Sequence, residues 1–92
     1  MPMYRIRIVC KGVPEHAGAA AAQDIQEEFT HRPWHKDVLC SWDGSQLTLQ
    51  ADNVFDFDGR ALIDEFSDAI SACIKEGFDG DLEIVSIREF AS

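Results

Sequence analysis

Polar and apolar positions alternate from the start of the chain. Between Met3 and Cys10, the residues Tyr4, Ile6, Ile8 and Cys10 share one parity, while Arg5, Arg7 and Val9 share the other. A period of two with β-branched residues predicts a half-buried strand. Lys11-Gly12-Val13-Pro14 breaks it, and Pro14 with Glu15 suits the first turn of a helix. From Glu15 to Phe29 the stripe Ala17, Ala21, Ala22, Ile25 and Phe29 opposes Gln23, Asp24, Glu27 and Glu28. That pattern predicts an amphipathic helix with a thin apolar face, ended by Pro33.

Two further strands follow, over Val38–Trp42 and Gln46–Ala51. Asp43-Gly44 between them is a strong hairpin signal, because a type I′ turn needs φ > 0 at both central residues. A turn centred there pairs Trp42 with Ser45, Cys40 with Leu47 and Val38 with Leu49. Those six then share one face; Leu39/Thr48, Ser41/Gln46 and Asp37/Gln50 share the other. Asp58 is a suitable N-cap for a second helix, in which Leu62, Ile63, Phe66, Ala69, Ile70, Cys73 and Ile74 recur at helical spacing, and Gly77 is a natural stop. A last strand spans Leu82 to about Phe90. Its parity breaks in the middle, which predicts a bulge near Ile84-Val85.

The order β-α-β-β-α-β predicts an α+β fold of ferredoxin-like topology. This is a two-layer sandwich with a four-stranded antiparallel sheet and two helices on one face. Its first and third strands are central, and residues 1–92 form a single α+β domain. At 92 residues the chain buries roughly 60–65% of the surface exposed when unfolded, enough for one modest core. No run approaches the length of a membrane span, and the first residues lack the apolar core of a secretory signal. Three well-separated cysteines, Cys10, Cys40 and Cys73, fit a reducing, cytoplasmic setting better than a disulfide framework.

Charge adds the next constraint. Seventeen acids against eight bases give a net charge of −9, which argues against nucleic-acid partners and an anionic membrane surface. The excess is local: residues 52–83 hold ten acids and two bases, while residues 1–51 hold six and five.

The loop Lys11, Gly12, Val13, Pro14, Glu15 and His16 is one candidate ligand site. With the element order and chain size it resembles acylphosphatases, whose first loop cradles an acyl phosphate beside a required Arg. Here no Arg follows the glycine, and the predicted hairpin strands hold no Asn to orient water. Glu15-His16-Ala17-Gly18-Ala19-Ala20 also resembles the start of the first helix in ACT regulatory domains, although Ala17 stands where that family has proline. The resemblance implies a small-molecule-sensing domain using Lys11, Gly12, Glu15, His16 and Gly18.

Metal chemistry finds little support. His31 and His35 have i, i+4 spacing, but Pro33 between them breaks the helix that would converge them, and both are expected to be solvated loop residues. Val54–Glu65 partly overlays a calcium loop through Asp56, Asp58, Gly59 and Glu65, yet its first ligand position is Val54. The three cysteines read as buried, inert thiols. No nucleophile, paired carboxylates or phosphate loop stands out, so neither a catalytic residue nor a cofactor is expected. The roles of His16, His31 and His35 are left open.

The open sheet face carries Arg5, Arg7, Gln46 and Thr48, a candidate interface without the stacking aromatics of RNA-binding domains. Its arginines are expected to pair with Glu83 or Glu89 on the last strand. Dimeric α+β barrel enzymes of the antibiotic-biosynthesis monooxygenase type are a further resemblance in topology; they prefer an apolar face here. The reading that best unites these features is a non-catalytic protein-interaction or regulatory module. It would dock a basic protein, or a second copy of itself, through an acidic pole in residues 52–83. Asp56, Asp64, Glu65 and Asp68 would supply the charge, and Phe55 and Phe57 (with Phe78) the aromatic anchors.

Overall fold

A computed structural model describes residues 2–74 and 80–91. The elements run β1 (Pro2–Lys11), α1 (Glu15–Glu28), a 3₁₀ turn (Phe29–His31), β2 (Lys36–Trp42), β3 (Gln46–Asn53), α2 (Arg60–Cys73) and β4 (Asp81–Ala91). The four strands form one antiparallel sheet in the order β2-β3-β1-β4, with β1 and β3 central.

The period-two pattern of β1 determines which side of the sheet is dry. Ile6, Ile8 and Cys10 join Leu47, Leu49 and Ala51 of β3 in a single core with Ala21, Ala22 and Ile25 of α1 and Leu62, Phe66, Ala69 and Ile70 of α2. The thin face of α1 allows a close approach. A Cβ on Gly18 would stand 2.2 Å from the Trp42 ring, so only glycine fits where α1 crosses β2.

The hairpin keeps its predicted faces but not its predicted register. Trp42 pairs with Leu47 and Cys40 with Leu49, two residues away from the expected pairing. Gly44, not Asp43, has the positive φ, so the central residues are Gly44 and Ser45. The Asp43 carboxylate explains the shift: its Oδ1 accepts hydrogen bonds from the Ser45 and Gln46 amides, both at 2.8 Å. These bonds hold Asp43 in the strand side of the turn and place its own carboxyl below the usual range. Because the shift is two residues, Cys40, Trp42, Leu47 and Leu49 stay on the expected face. The pairing is irregular again between Lys36 and Leu39, where Asp37 adopts φ 49°, so Leu39 and not Asp37 lies opposite Gln50.

The helix ends also differ from expectation. Pro14 is the N-cap of α1 and not its first helical residue. Asp58 caps only Arg60; the first turn of α2 is held by Asp56, whose carboxylate accepts from the Ala61 and Leu62 amides at 3.1 and 2.9 Å. Ile74 is extended, so α2 stops after Cys73, and Gly77 lies outside the described residues. In β4 the predicted bulge is present: Ile84 pairs with Ile8 and Ser86 with Arg7, leaving Val85 extra.

Candidate functional site

His35 closes the sheet at the beginning of β2, with its side chain fully removed from solvent. Its Nε2 faces Glu65 Oε2 of α2 at 2.5 Å, and its Nδ1 faces Asn53 Nδ2 of β3 at 3.3 Å. Asn53 Oδ1 is already committed, accepting from the Phe55 and Asp56 amides. The Asn53 amide nitrogen is therefore the donor to Nδ1, and the proton of His35 resides on Nε2, donated to Glu65. Asp56 in turn holds the N-terminus of α2. One chain of hydrogen bonds thus ties β2, β3, the 54–59 loop and α2, with no buried side-chain polar atom left unpaired among the described residues.

Glu65 is the hub. Its Oε1 accepts from Trp34 Nε1 at 3.2 Å and lies 3.3 Å from Arg32 Nε. Arg32 also bonds the Glu28 carbonyl and stacks over the Phe29 ring. Around His35 the rings of Phe29, Trp34 and Phe55 have centroids 5.7, 6.0 and 6.0 Å away. Phe29 is core, but Trp34, Phe55 and Phe57 remain 48, 49 and 69% exposed, and Val54 is exposed beside them in sequence. Trp34 and Phe55 thus pack on the hydrogen-bonded His35 while about half of each stays open to water.

The expected acidic residues divide. Asp64 and Asp68 are exposed, a turn apart on α2, and Asp58 adjoins Phe57. Asp56 is buried and committed to α2, so it offers no surface charge. Glu65 is shared among Arg32, Trp34 and His35. Asp52 is buried beneath Arg5, which grips it with Nε and Nη2, each at 2.9 Å. Asp81 lies opposite Lys11, at the far end of β1 from Asp52. The described acids of 52–83 therefore extend along the molecule, with Asp58, Asp64 and Asp68 the exposed ones on and just before α2. Phe78, Glu76 and Asp79 lie outside the described residues.

The other candidate positions lie on the open sheet face and in the first loop. On the open sheet face Arg5 pairs with Asp52 and Arg7 with Gln50 at 2.8 Å, their neighbours in β3, and not with Glu83 or Glu89 of β4. Gln46 and Thr48 border a shallow trough with Val9, Lys11 and Glu83. In the first loop Gly12 turns the chain at φ 86°, Val13 enters the core, and Glu15 and His16 are exposed. Gly18 is filled against Trp42 and offers no room for a ligand. His31 is exposed as expected, but His35 is not a solvated loop residue; α2 covers it through Glu65.

Asn53 falls in β3, beyond the expected end of that strand, and its carbonyl is committed to backbone amides. The thiols of Cys10, Cys40 and Cys73 are all pushed up by burial, Cys40 to about 12. Among the described residues no group of three His, Cys, Asp or Glu is arranged to hold a metal ion, and no helix is long and apolar enough to cross a membrane.

Sequence pattern alone missed the Glu65–His35–Asn53 chain. The signal present was Asn53-x-x-Asp56 before a helix, an Asx turn followed by a capping carboxylate. No known family model matches this chain, and no curated protein does.

Proposed function

We propose that this chain is a non-catalytic interaction module of ferredoxin-like topology that docks a basic protein partner. The contact is made by Trp34, Phe55 and Phe57, with Asp58, Asp64 and Asp68 as its acidic margin. The observation that supports this reading is the exposure of Trp34 and Phe55, whose rings pack on a buried and hydrogen-bonded His35, with exposed Phe57 two residues further along the chain. The frame gives Trp34 and Phe55 defined positions before binding, which reduces the ordering cost of association. The neighbouring carboxylates favour a partner of positive charge and speed encounter with it. The His35 side chain is fully buried, so its role in this reading is to position the Trp34 and Phe55 rings.

The test compares capture by the immobilised wild type with capture by Phe55→Ala/Phe57→Ala and by Asp64→Lys/Asp68→Lys. A strongly basic protein retained by the wild type, lost from both variants and released by salt supports the reading. Capture indifferent to both changes, or no basic protein specific to the wild type, contradicts it.

A further inference from the structure

The two edges of the sheet are treated differently. On β2, Gln26 of α1 acts as a surrogate strand: its Nε2 donates to the Val38 carbonyl and its Oε1 accepts from the Cys40 amide, both at 2.7 Å. That edge is short, irregular and partly satisfied. β4 is eleven residues long, contains neither proline nor lysine, and lies at the other edge. None of the described residues bonds its outward backbone groups. Val85 and Ile87 on it are 54 and 38% exposed.

The bulge gives β4 an internal symmetry. Pairing with β1 places Leu82, Ile84, Ile87 and Glu89 on the helix side, and Asp81, Glu83, Ser86, Arg88 and Phe90 on the open side. Val85 is the extra residue of the bulge, set with Ser86 opposite Arg7, which places both on the open side. Read outward from the Val85–Ser86 bond, the faces are identical in both directions. An antiparallel copy of β4 laid alongside therefore sets Val85 opposite Ser86, Ile84 opposite Ile87 and Glu83 opposite Arg88, each pair on one face. Sliding the copy by one or two residues puts at least one pair on opposite faces.

Charge selects the same register. Arg88 stands opposite Arg5 in β1, whose guanidinium is already bound to Asp52, and Arg88 has no acidic partner among the described residues. Like charges opposite one another disfavour the pairing unless a counter-charge is supplied. Glu83 is exposed, with only a long 3.9 Å contact to Lys11. A second copy brings Glu83 to Arg88 twice, once on each side of the axis.

We propose that two copies of this chain join edge to edge through β4, about a two-fold axis between Val85 and Ser86, forming one continuous eight-stranded sheet. The interface is isologous and satisfies the open strand edge on both copies. It does not involve Trp34, Phe55 or Phe57, so it stands or falls apart from the docking surface.

Sedimentation equilibrium in reducing buffer, over a concentration series reaching the millimolar range, tests it. The wild type is expected to approach twice the chain mass. Arg88→Glu and Glu83→Arg should each weaken association by roughly tenfold or more, and the double exchange should restore it. A wild type that stays monomeric throughout overturns the proposal, as do single reversals that associate like the wild type. If either reversal fails to fold, amide exchange on the wild type decides: outward amides of β4 should slow as concentration rises, and exchange independent of concentration overturns the proposal.

Discussion

His35 donates its Nε2 proton to Glu65, joining the beginning of β2 to α2 across 30 positions of sequence. The His35 side chain is wholly buried, so this bond cannot be exchanged for water. Glu65→Ala leaves a buried donor unpaired and releases Trp34. It should cost about 1–3 kcal/mol in unfolding free energy by urea denaturation. Glu65→Gln, which still accepts from His35, should cost less. Equal losses for the two variants would show that the hydrogen bond contributes nothing specific.

The cap of α2 gives a second prediction. Asp56→Ala removes the acceptor for two helix amides and should cost about 1–2 kcal/mol, whereas Asp58→Ala removes one exposed bond and should cost less. The opposite ranking by chemical denaturation would return the capping role to Asp58.

Gly18 and Trp42 are coupled by contact. Helix propensity alone favours Gly18→Ala by about 1 kcal/mol, yet its Cβ would overlap the Trp42 ring, and overpacking costs about 1–3 kcal/mol. The substitution should destabilise the wild type and become neutral or stabilising in a Trp42→Ala background. A double-mutant cycle without coupling would rule out the contact.

The thiols supply a pH dependence. Burial holds Cys40 protonated up to about 12, whereas an unfolded cysteine ionises near ~8.5. Between those values the unfolded chain binds fewer protons than the folded one, so stability falls as pH rises. The contribution is fully present below pH ~8.5. Replacing Cys40 with alanine should flatten the alkaline limb of the stability profile, and an unchanged limb would assign it to other groups. In the folded protein, alkylation should reach the half-buried Cys73 before Cys40.

The faces of β1 and of the hairpin, and the bulge in β4, were legible in the sequence because burial on one side of a sheet imposes a period of two. The hairpin register was not legible, because a side chain, Asp43 Oδ1, receives the amides that set the turn. The helix cap was misplaced by two residues for a similar reason: Asp56 reaches forward from the loop, while Asp58 is nearer in sequence but exposed. His35 escaped because nothing local to Trp34-His35-Lys36 marks burial; its partners come from β3 and α2. The acidic excess of 52–83 suggests one pole, but Asp52 and Asp56 are consumed inside the fold. The expected aromatic anchors Phe55 and Phe57 are exposed, and Trp34 meets Phe55 across the His35 ring.

In the proposed docking, the exposed rings and the acidic residues of α2 act together on one basic partner. Titration calorimetry with the captured partner, at low and high salt, tests it most directly. Phe57→Ala should weaken binding by at least roughly tenfold at both salt concentrations. Asp64→Lys/Asp68→Lys should weaken it chiefly at low salt, where screening is least. Affinity unchanged by Phe57→Ala, together with a salt response unaffected by the double charge reversal, would contradict the account.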